Sequence, residues 1–293
     1  MSNCIAQLMT PGPVAAAVAK TCAAPDAACR LEEMVVLDRI DAVLLFRSES
    51  WQCFRAEVRQ VFRDNDYIVL RGFPPIPDGA ALLVAALTIG ESLRTYRNGK
   101  VIKHFKMSPW TTDLSHTTRA GEFHTDLNTE PRPPMITAIQ CLEPDPGSPR
   151  YGVTRIARLR NLLDFVDREC NERTRRFLQQ NTIAMLNDHS SVRWTGRMAE
   201  AGTIRYHPDT IRAAARRSGG SLHAAEEDIA GVEDAATSVA TSFVLERGDL
   251  LLLSNCRTLH SRGPCSVVFR DFPTDFDSRR VAVLHAQRER EVP

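Results

Sequence analysis

The run of four leucines, Leu250–Leu253, is the feature that most constrains the fold. Gly248 and Asp249, a pair typical of a tight turn, come directly before it, and the polar Ser254 comes directly after it. A short apolar run bounded in this way predicts a buried β-strand. The chain then reaches His260, so a buried strand delivers a histidine at its exit.

The order of the other elements indicates the fold class. Apolar residues recur at helical spacing in residues 51–64, 79–89 and 158–180. Extended apolar segments flank these helices, at residues 66–73, 135–142, 241–245, 249–253 and 280–285. Such an order is unlike the regular strand–helix alternation of a parallel sheet. We therefore predict a mainly β fold with flanking helices, of barrel or jelly-roll type.

The two ends of this pattern suggest the domain organisation. Residues 1–30 are rich in Ala and Pro and show no clear period, so we expect a mobile N-terminal arm. Residues 31–293 are then expected to form a single domain, because all-β units of this size are common. Residues 218–234 are polar and contain Gly219-Gly220 near their start, which favours an insertion, lid or surface loop there.

Composition narrows the class of partner. The chain has 37 basic and 36 acidic residues and a net charge of +1, so it lacks the electrostatic character of a nucleic-acid-binding or membrane-surface protein. A small-molecule partner is expected instead. No apolar run approaches the roughly 20 residues that span a bilayer. The eight cysteines are scattered and form no CxxC motif, which fits reduced thiols in the cytoplasm. The oligomeric state stays open.

Three groups of residues suggest a metal site. In an extended segment residues i and i+2 share a face, so His124 and Asp126 can bind one ion with Thr125 turned away. His260 can supply a third ligand. Two histidines and one carboxylate form the ligand set of non-haem iron(II) and leave three coordination positions open. The strand beginning at Arg279-Arg280 brings a permanently charged guanidinium suited to binding a carboxylate.

Each group alone has an ordinary structural explanation. An HxD pair is usually solvated, His260 could be a core histidine with its hydrogen bonds satisfied, and the two arginines could lie on a solvated strand edge. A metal-binding module without turnover and a zinc hydrolase could use the same His/Asp/His ligands. Neither alternative needs the arginine of the last strand, so the combination favours an oxygenase.

The motifs together resemble a known family. They are HTD at residues 124–126, PP and an apolar strand at 133–139, GDLLLLSNCRTLHSR at 248–262 and RRVAV at 279–283. In this order they resemble the iron(II)/2-oxoglutarate dioxygenases of the taurine dioxygenase and clavaminate synthase-like superfamily. The resemblance extends from about Tyr67 to His285 and implies a double-stranded β-helix, or jelly roll.

The resemblance also implies roles for residues. His124, Asp126 and His260 would hold Fe(II), and Arg280 would bind the far carboxylate of 2-oxoglutarate, with Arg279 as the alternative. Thr154 or Arg150 lies near the position of a threonine that helps to hold this co-substrate. Together with O2, these cofactors imply hydroxylation of an unactivated C–H, with succinate and CO2 as co-products. Related halogenases have Gly or Ala in place of the acid, so Asp126 favours hydroxylation over halogenation.

Candidate substrate residues follow from the same resemblance and from proximity to the motifs. Asp209 matches a position where related amino-acid hydroxylases grip basic or amino groups, and His207 stands where some members have another acid. For Asp209, capping of the helix at residues 210–216 is an equally good explanation. Further candidates, each with a surface or loop-binding role as the alternative, are Glu122, Asn128, Ser115 and Arg262. The expected substrate is a free amino acid or a similar small polar metabolite.

Overall fold

The structure is a computed structural model that describes residues 4–90, 92–96, 99–113, 115–188 and 190–287. The helices are α1 (Gly12–Thr21), α2 (Ala27–Val36), α3 (Leu44–Arg47), α4 (Glu49–Asn65), α5 (Ala80–Ala86), α6 (Leu159–Glu169), α7 (Glu172–Gln179), α8 (Pro208–Ser218) and α9 (Leu222–Val239), with a short 3-10 turn at Ile40–Ala42.

The strands are β1 (Gln7–Met9), β2 (Tyr67–Arg71), β3 (Ser92–Leu93), β4 (Lys103–Lys106), β5 (Ile136–Glu143), β6 (Thr154–Arg158), β7 (Thr182–Leu186), β8 (Arg193–Arg197), β9 (Ala199–Glu200), β10 (Thr203–Ile204), β11 (Thr241–Phe243), β12 (Leu250–Ser254), β13 (Thr258–Arg262), β14 (Val267–Asp271), β15 (Asp275–Ser278) and β16 (Arg280–Gln287).

The main sheet has the strand order β1-β2-β12-β5-β16-β3, and β4 also pairs with β16. The leucine run forms β12 in the middle of this sheet, between β2 and β5. All four leucines are fully buried because both faces of the sheet are covered. Leu250 and Leu252 pack in the core between the sheet and helices α1 to α5, while Leu251 and Leu253 pack in the core on the other face. The prediction of a buried strand is confirmed.

Helix α4 shows how the sequence builds the layer under the main sheet. Ser48 caps its start by accepting a hydrogen bond from the Trp51 backbone N–H, and Asp66 ends it in the left-handed conformation. Its buried side chains are spaced three and four residues apart, which places them on one face: Trp51, Phe54, Val58 and Phe62. This face packs in the same core as Leu250 and Leu252, on one face of the main sheet.

The prediction of a mobile arm at residues 1–30 is wrong for residues 4–30. Strand β1 pairs in parallel with β2, with Gln7 opposite Val69. In α1, Val14 and Val18 lie one turn apart and are almost completely buried in the core under the sheet. The apolar stripe was hidden in the sequence because the alanines around it give the segment no contrast between faces.

A second, three-stranded sheet has the order β11-β6-β13 and is covered by helices α6 to α9. The prediction of a loop or lid at residues 218–234 is wrong, because most of that segment belongs to α9. Ser221 caps this helix, and Ile229 and Val232 are buried against its neighbours. The helix predicted at 158–180 is interrupted at Asn171, which caps the start of α7.

These corrections change the fold class. The described chain is a mixed α and β structure with more residues in helices than in strands. The prediction of a mainly β chain fell short because α1, the first four residues of α2 and most of α9 lie in segments for which the sequence predicted an arm and a loop. In the part of the chain that the structure describes, no helix is both long and apolar enough to cross a membrane.

Candidate metal centre

Backbone pairing brings two of the predicted metal ligands together. His124 and His260 form an isolated antiparallel bridge in which each backbone N–H donates to the other's carbonyl, at 3.0 and 3.1 Å. Their ring centroids are 4.3 Å apart. The prediction that His124 and the histidine after the leucine strand could share one ion is therefore compatible with the geometry.

The third predicted ligand completes the cluster. One ligand atom from each of His124, Asp126 and His260 can be chosen so that all lie within 4.8 Å of one another. Asp126 Oδ1 lies 3.7 Å from His124 Nε2, and Asp126 Oδ2 lies 3.6 Å from His260 Nε2. His124 Nδ1 contacts the Glu122 carbonyl oxygen at 2.8 Å, so this nitrogen carries the proton and Nε2 is free to bind a metal. Two imidazoles and one carboxylate suit iron(II).

Asp126 is held from several sides. Its backbone N–H donates to Asn255 Oδ1 at 2.7 Å, and Asn255 Nδ2 donates back to the Asp126 carbonyl at 3.0 Å. Asp126 Oδ2 accepts a hydrogen bond of 2.7 Å from Thr137 Oγ1 and lies 3.1 Å from His285 Nε2. Leu127, the next residue, has φ of 52°, a strained conformation that turns the chain away directly after the ligand.

The electrostatics favour the metal-binding forms of the ligands. Burial alone would raise the pKa of Asp126, but the neighbouring imidazole of His260 and the hydrogen bond from His285 hold it well below its usual range. Burial, reinforced by the nearby His124, lowers the pKa of His260 to about 3. Near neutral pH the cluster therefore presents a carboxylate and a neutral imidazole, which are the protonation states that bind metals.

The cluster lies in a cavity of about 430 Å³. This volume falls within the range of small-molecule sites. The cavity wall comes from both sheets: Thr137 of β5 and His285 of β16 belong to the main sheet, whereas Thr154 of β6 and Ser261 of β13 belong to the second sheet. The metal centre therefore lies between the two sheets.

The structure reverses the order of the two candidate arginines. Arg279 is 6% exposed and lines the cavity, as do Val281, Val283 and His285. Arg280 lies outside this cavity, and its Nη1 pairs with Glu143 Oε1 at 2.9 Å. Alternate strand residues point to opposite faces, so a one-residue shift moves the guanidinium out of the site. The placement of Arg280 at the co-substrate position is thus corrected in favour of Arg279.

The cavity that contains the cluster is also lined by polar residues without a partner. No ion pair among the described residues includes Arg279. Thr154 and Ser261 are lining residues of the cavity, and their hydroxyl oxygens are buried without a hydrogen-bond partner. Buried polar groups are normally satisfied, so these hydroxyls are suited to a polar ligand. Arg150, the alternative to Thr154, does not line the cavity and lies over the Tyr151 ring.

The predicted substrate residues divide into two groups. Those that line the cavity are Glu122, His207, Asp209, Ser115 and Arg262. Asn128 does not: it is buried, and its Nδ2 donates to Thr210 Oγ1 at 2.9 Å and contacts Met185 Sδ. Arg262 donates to the Thr117 carbonyl at 2.9 Å, which is the loop-binding alternative.

Asp209 does not cap helix α8. The N-cap residue is His207, and Asp209 lies in the first turn, where it pairs with Arg212 at 3.1 Å. Arg212 also pairs with Glu122 and Glu226, at 2.5 and 2.9 Å. One guanidinium thus faces three carboxylates, and the excess of negative charge borders the cavity at Glu122 and Asp209.

Several residues of the site were not predicted from the sequence. Those with side chains at the cavity or on the ligands are Tyr96, Lys103, Thr137, Asn255 and His285. For His285 a signal was available, since it shares the strand face of Arg279 by simple alternation. Tyr96 and Lys103 lie in segments of weak periodicity, and only the pairing of β4 with β16 brings Lys103 opposite Val283.

Helix α9 supports the metal centre through Glu233. Its Oε2 accepts a hydrogen bond of 3.1 Å from the Phe123 backbone N–H, directly before His124, and its Oε1 accepts one of 3.2 Å from Tyr206. Burial raises the pKa of Glu233 to about 7, with Glu122 adding to the shift. In the unfolded chain this carboxyl ionises near its ordinary value of 4.5.

The Glu233→Gln variant should therefore be more stable than the wild type at high pH only. Between these two pKa values Glu233 loses its proton in the unfolded chain but keeps it in the folded protein. The free energy of unfolding of the wild type therefore falls as pH rises through this range, and it levels off above the pKa of the folded protein. A neutral glutamine avoids this loss, and we expect a gain of about 2 kcal/mol near pH 8 and little near pH 5. Urea unfolding at both pH values measures it, and an equal effect at both would contradict the assignment.

Comparisons with known proteins agree with this architecture. Residues 45–281 match the family model described as Taurine catabolism dioxygenase TauD, TfdA family. Asparagine oxygenase, solved with Fe(II), 2S,3S-3-hydroxyasparagine and succinate, superposes with a TM-score of 0.71 at 15% identity, covering 96% of this chain and 94% of that chain. The non-heme iron oxygenase OrfP, solved with (3S)-hydroxy-L-Arg, gives 0.68 at 17% identity, covering 96% and 93%.

Fold and site together define a non-haem metal oxygenase. Because the family model matches most of its length, the chain belongs to the TauD/TfdA dioxygenase family. The prediction of an iron dioxygenase of the taurine dioxygenase-like superfamily is confirmed.

Proposed function

We propose that this enzyme uses Fe(II), 2-oxoglutarate and O2 to hydroxylate an unactivated C–H of a small free amino acid or a related polar metabolite. The observation that carries the proposal is the convergence of His124, Asp126 and His260 in a cavity that also contains the buried Arg279. A metal-binding module without turnover or a zinc hydrolase would need the three metal ligands but not the buried arginine.

The metal ligands define the first part of the mechanism. His124, Asp126 and His260 would hold iron(II), which with 2-oxoglutarate and O2 supplies the oxidant for C–H hydroxylation and yields succinate and CO2. The protein's own residues aim the substrate and exclude water. Asp126 occupies the position that a halide would need, which supports hydroxylation as the outcome.

Arg279 is our candidate for binding the far carboxylate of 2-oxoglutarate. Burial lowers the pKa of Arg279, yet a guanidinium stays charged in proteins. A buried charge is costly unless an anion pairs with it, and a planar guanidinium matches a carboxylate with two parallel hydrogen bonds. The hydroxyls of Thr154 and Ser261, which have no partner, can donate to the same co-substrate.

The charges of the cavity support an amino-acid substrate. Lys103 contributes a cation, with its Nζ 3.8 Å from the centre of the Tyr96 ring. Glu122 and Asp209 contribute the excess of negative charge around Arg212. A zwitterion can satisfy both, with its carboxylate on Lys103 and its amino group near Asp209. The solved neighbours carry hydroxylated asparagine and hydroxylated arginine in the structures described above.

Replacement of Lys103 tests this substrate arrangement. In Lys103→Met the KM for the amino acid should rise about 10-fold to 100-fold, because a hydrogen bond to a charged group is lost. The affinity for 2-oxoglutarate should be unchanged. Lys106→Met is the matched control, since Lys106 belongs to the same strand β4 as Lys103 but borders a different cavity. There its Nζ lies over the ring of Phe276. An unchanged KM in Lys103→Met would exclude Lys103 from substrate binding.

The finer fold assignment is also a proposal. We infer a double-stranded β-helix, or jelly roll, in a single domain. The support is that residues of both sheets line one cavity and that the His124–His260 bridge ties the metal segment to the second sheet. Strand β1 extends the main sheet, so the N-terminal residues belong to the same unit.

A reducing compartment such as the cytoplasm is our proposed location. All eight cysteines are free thiols, including the buried Cys22, Cys141 and Cys265. Burial raises the pKa of Cys22 and of Cys141 to about 12, which keeps both protonated and unreactive.

One experiment tests the function as a whole. The purified protein is loaded with Fe(II) and 2-oxoglutarate without oxygen, and the weak visible charge-transfer band of the bound pair is sought. Air is then admitted with a panel of free amino acids, and succinate and hydroxylated products are measured. We expect the band in every sample and substrate-stimulated succinate with one amino acid or a small group of them. No band and no succinate with any amino acid would refute the proposal.

A further inference from the structure

The carboxylate of Asp126 has two unequal oxygen atoms. Oδ2 lies 2.7 Å from Thr137 Oγ1 and 3.1 Å from His285 Nε2, both within hydrogen-bond distance. Among the described residues Oδ1 accepts no hydrogen bond. Each oxygen lies near one histidine of the cluster, Oδ1 at 3.7 Å from His124 Nε2 and Oδ2 at 3.6 Å from His260 Nε2, so the two oxygens differ in their hydrogen bonds alone. A carboxylate oxygen accepts about two hydrogen bonds, so these two donors fill the capacity of Oδ2.

Strand register places the two donors side by side. Thr137 of β5 and His285 of β16 are directly opposite each other in the antiparallel pair, so their side chains lie on the same face. Thr137 is fully buried and His285 is 6% exposed. Their rotamers are therefore restricted by packing, and both donors reach Asp126 from the main sheet.

Tyr96 orients the histidine. Its hydroxyl lies 2.5 Å from His285 Nδ1. The ionised Asp126 can only accept, so His285 Nε2 must carry the proton that it donates. In the neutral ring Nδ1 is then an acceptor, and the Tyr96 hydroxyl donates to it. Burial and the charge of Asp126 raise the pKa of Tyr96, so the hydroxyl keeps its proton.

We propose that Thr137 and His285, with Tyr96 behind the histidine, are positioning residues that reserve Asp126 Oδ2 for hydrogen bonds, so that Asp126 binds the metal through Oδ1 alone. This inference rests on the proposed metal site. A carboxylate that binds through both oxygens takes two of the six octahedral positions. With one oxygen withheld, three positions remain for a bidentate 2-oxo acid and O2.

Metal binding without turnover tests the inference. Mn(II) or Co(II), added without oxygen or 2-oxoglutarate, replaces iron as the probe. Affinity is measured by titration, and the infrared difference spectrum of metal binding is recorded on protein labelled with 13C at its aspartate carboxyls. The gap between the antisymmetric and symmetric carboxylate stretches is wide for binding through one oxygen and narrow for binding through two. We expect the wide gap in the wild type.

Paired variants separate positioning from folding. Thr137→Val keeps the shape and removes the donor, whereas Thr137→Ser keeps the donor. His285→Ala removes the second donor, whereas His285→Gln can restore it, and His104→Ala controls for histidine loss elsewhere on the adjacent strand β4. We expect Thr137→Val and His285→Ala to narrow the gap and weaken metal affinity about 10-fold to 100-fold. The metal affinities of Thr137→Ser and His285→Gln should stay within about three-fold of that of the wild type, because both variants keep a hydrogen-bond donor.

The outcomes separate two failures. If the wild type binds metal but Thr137→Val and His285→Ala keep its affinity and its wide gap, the positioning role is overturned while the proposed function stands. If the wild type binds no metal, both are overturned. Should His285→Ala fail to fold, the nearly isosteric Thr137→Val variant decides the question.

Discussion

The Arg279→Ala variant is expected to need about 100-fold more 2-oxoglutarate for half-maximal turnover, because truncating one side of a buried charge pair costs about 2–5 kcal/mol. Arg279 is 6% exposed and lines the metal cavity, and no described carboxylate pairs with it. The affinity for the metal alone should change little, because the cluster of His124, Asp126 and His260 does not include Arg279. Titration of the anaerobic charge-transfer band with 2-oxoglutarate measures the effect without turnover.

Arg280→Ala is the matched control from the next position of the chain. Its pair with Glu143 joins side chains that are 42% and 46% exposed, and such pairs contribute about 0–1 kcal/mol. The affinity for 2-oxoglutarate should therefore remain within about two-fold of the wild type. If Arg280→Ala lost the co-substrate and Arg279→Ala retained it, the assignment of the two strand faces would be wrong.

The second large effect is expected for His124→Ala. Losing a residue that only hydrogen-bonds to a metal ligand weakens metal binding by up to about 100-fold. Removing a ligand itself should therefore weaken Fe(II) binding by more than about 100-fold. His124 has its Nε2 directed at the cluster and its Nδ1 bound to the Glu122 carbonyl. Anaerobic Fe(II) titration measures the affinity, and circular dichroism checks that the variant is folded.

His207→Ala is the control for a histidine that is close but is not a ligand. Its ring centroid lies 5.0 Å from that of His124, and it lines the same cavity, but it is not part of the three-residue cluster. Burial, with His124 nearby, lowers its pKa to about 3, so it presents a neutral ring to the cavity. Fe(II) affinity should be retained in this variant. Equal losses in both variants would indicate a metal site that includes His207.

The sequence allowed more of the site than of the fold to be predicted. The three candidate metal ligands could be recognised because the HxD spacing and the leucine strand before His260 are local features. The order of the two arginines was not, because the face of a strand depends on its register with β5 and β4. That register includes an irregularity between Arg280 and Val281, which no local pattern reveals.

The errors in the fold have a similar cause. An Ala-rich segment and a polar segment were assigned to an arm and a loop, yet they form α1 and α9 because Val14, Val18, Ile229 and Val232 find apolar partners in the two cores. Helices of this kind are stabilised mainly by tertiary packing rather than by intrinsic propensity. Their amphipathic stripe is too narrow to recognise before the packing partner is known.

By itself, the sequence determined the family, the three candidate metal ligands and the strand that delivers His260. These are set by residue type and short spacing, which the backbone geometry of a strand converts directly into position. Only the tertiary structure decided that Arg279 faces the cavity, that His285 and Thr137 converge on Asp126, and that Lys103 lines the same cavity. Each of these depends on pairing between strands far apart in the chain, and a shift of one residue would reverse it.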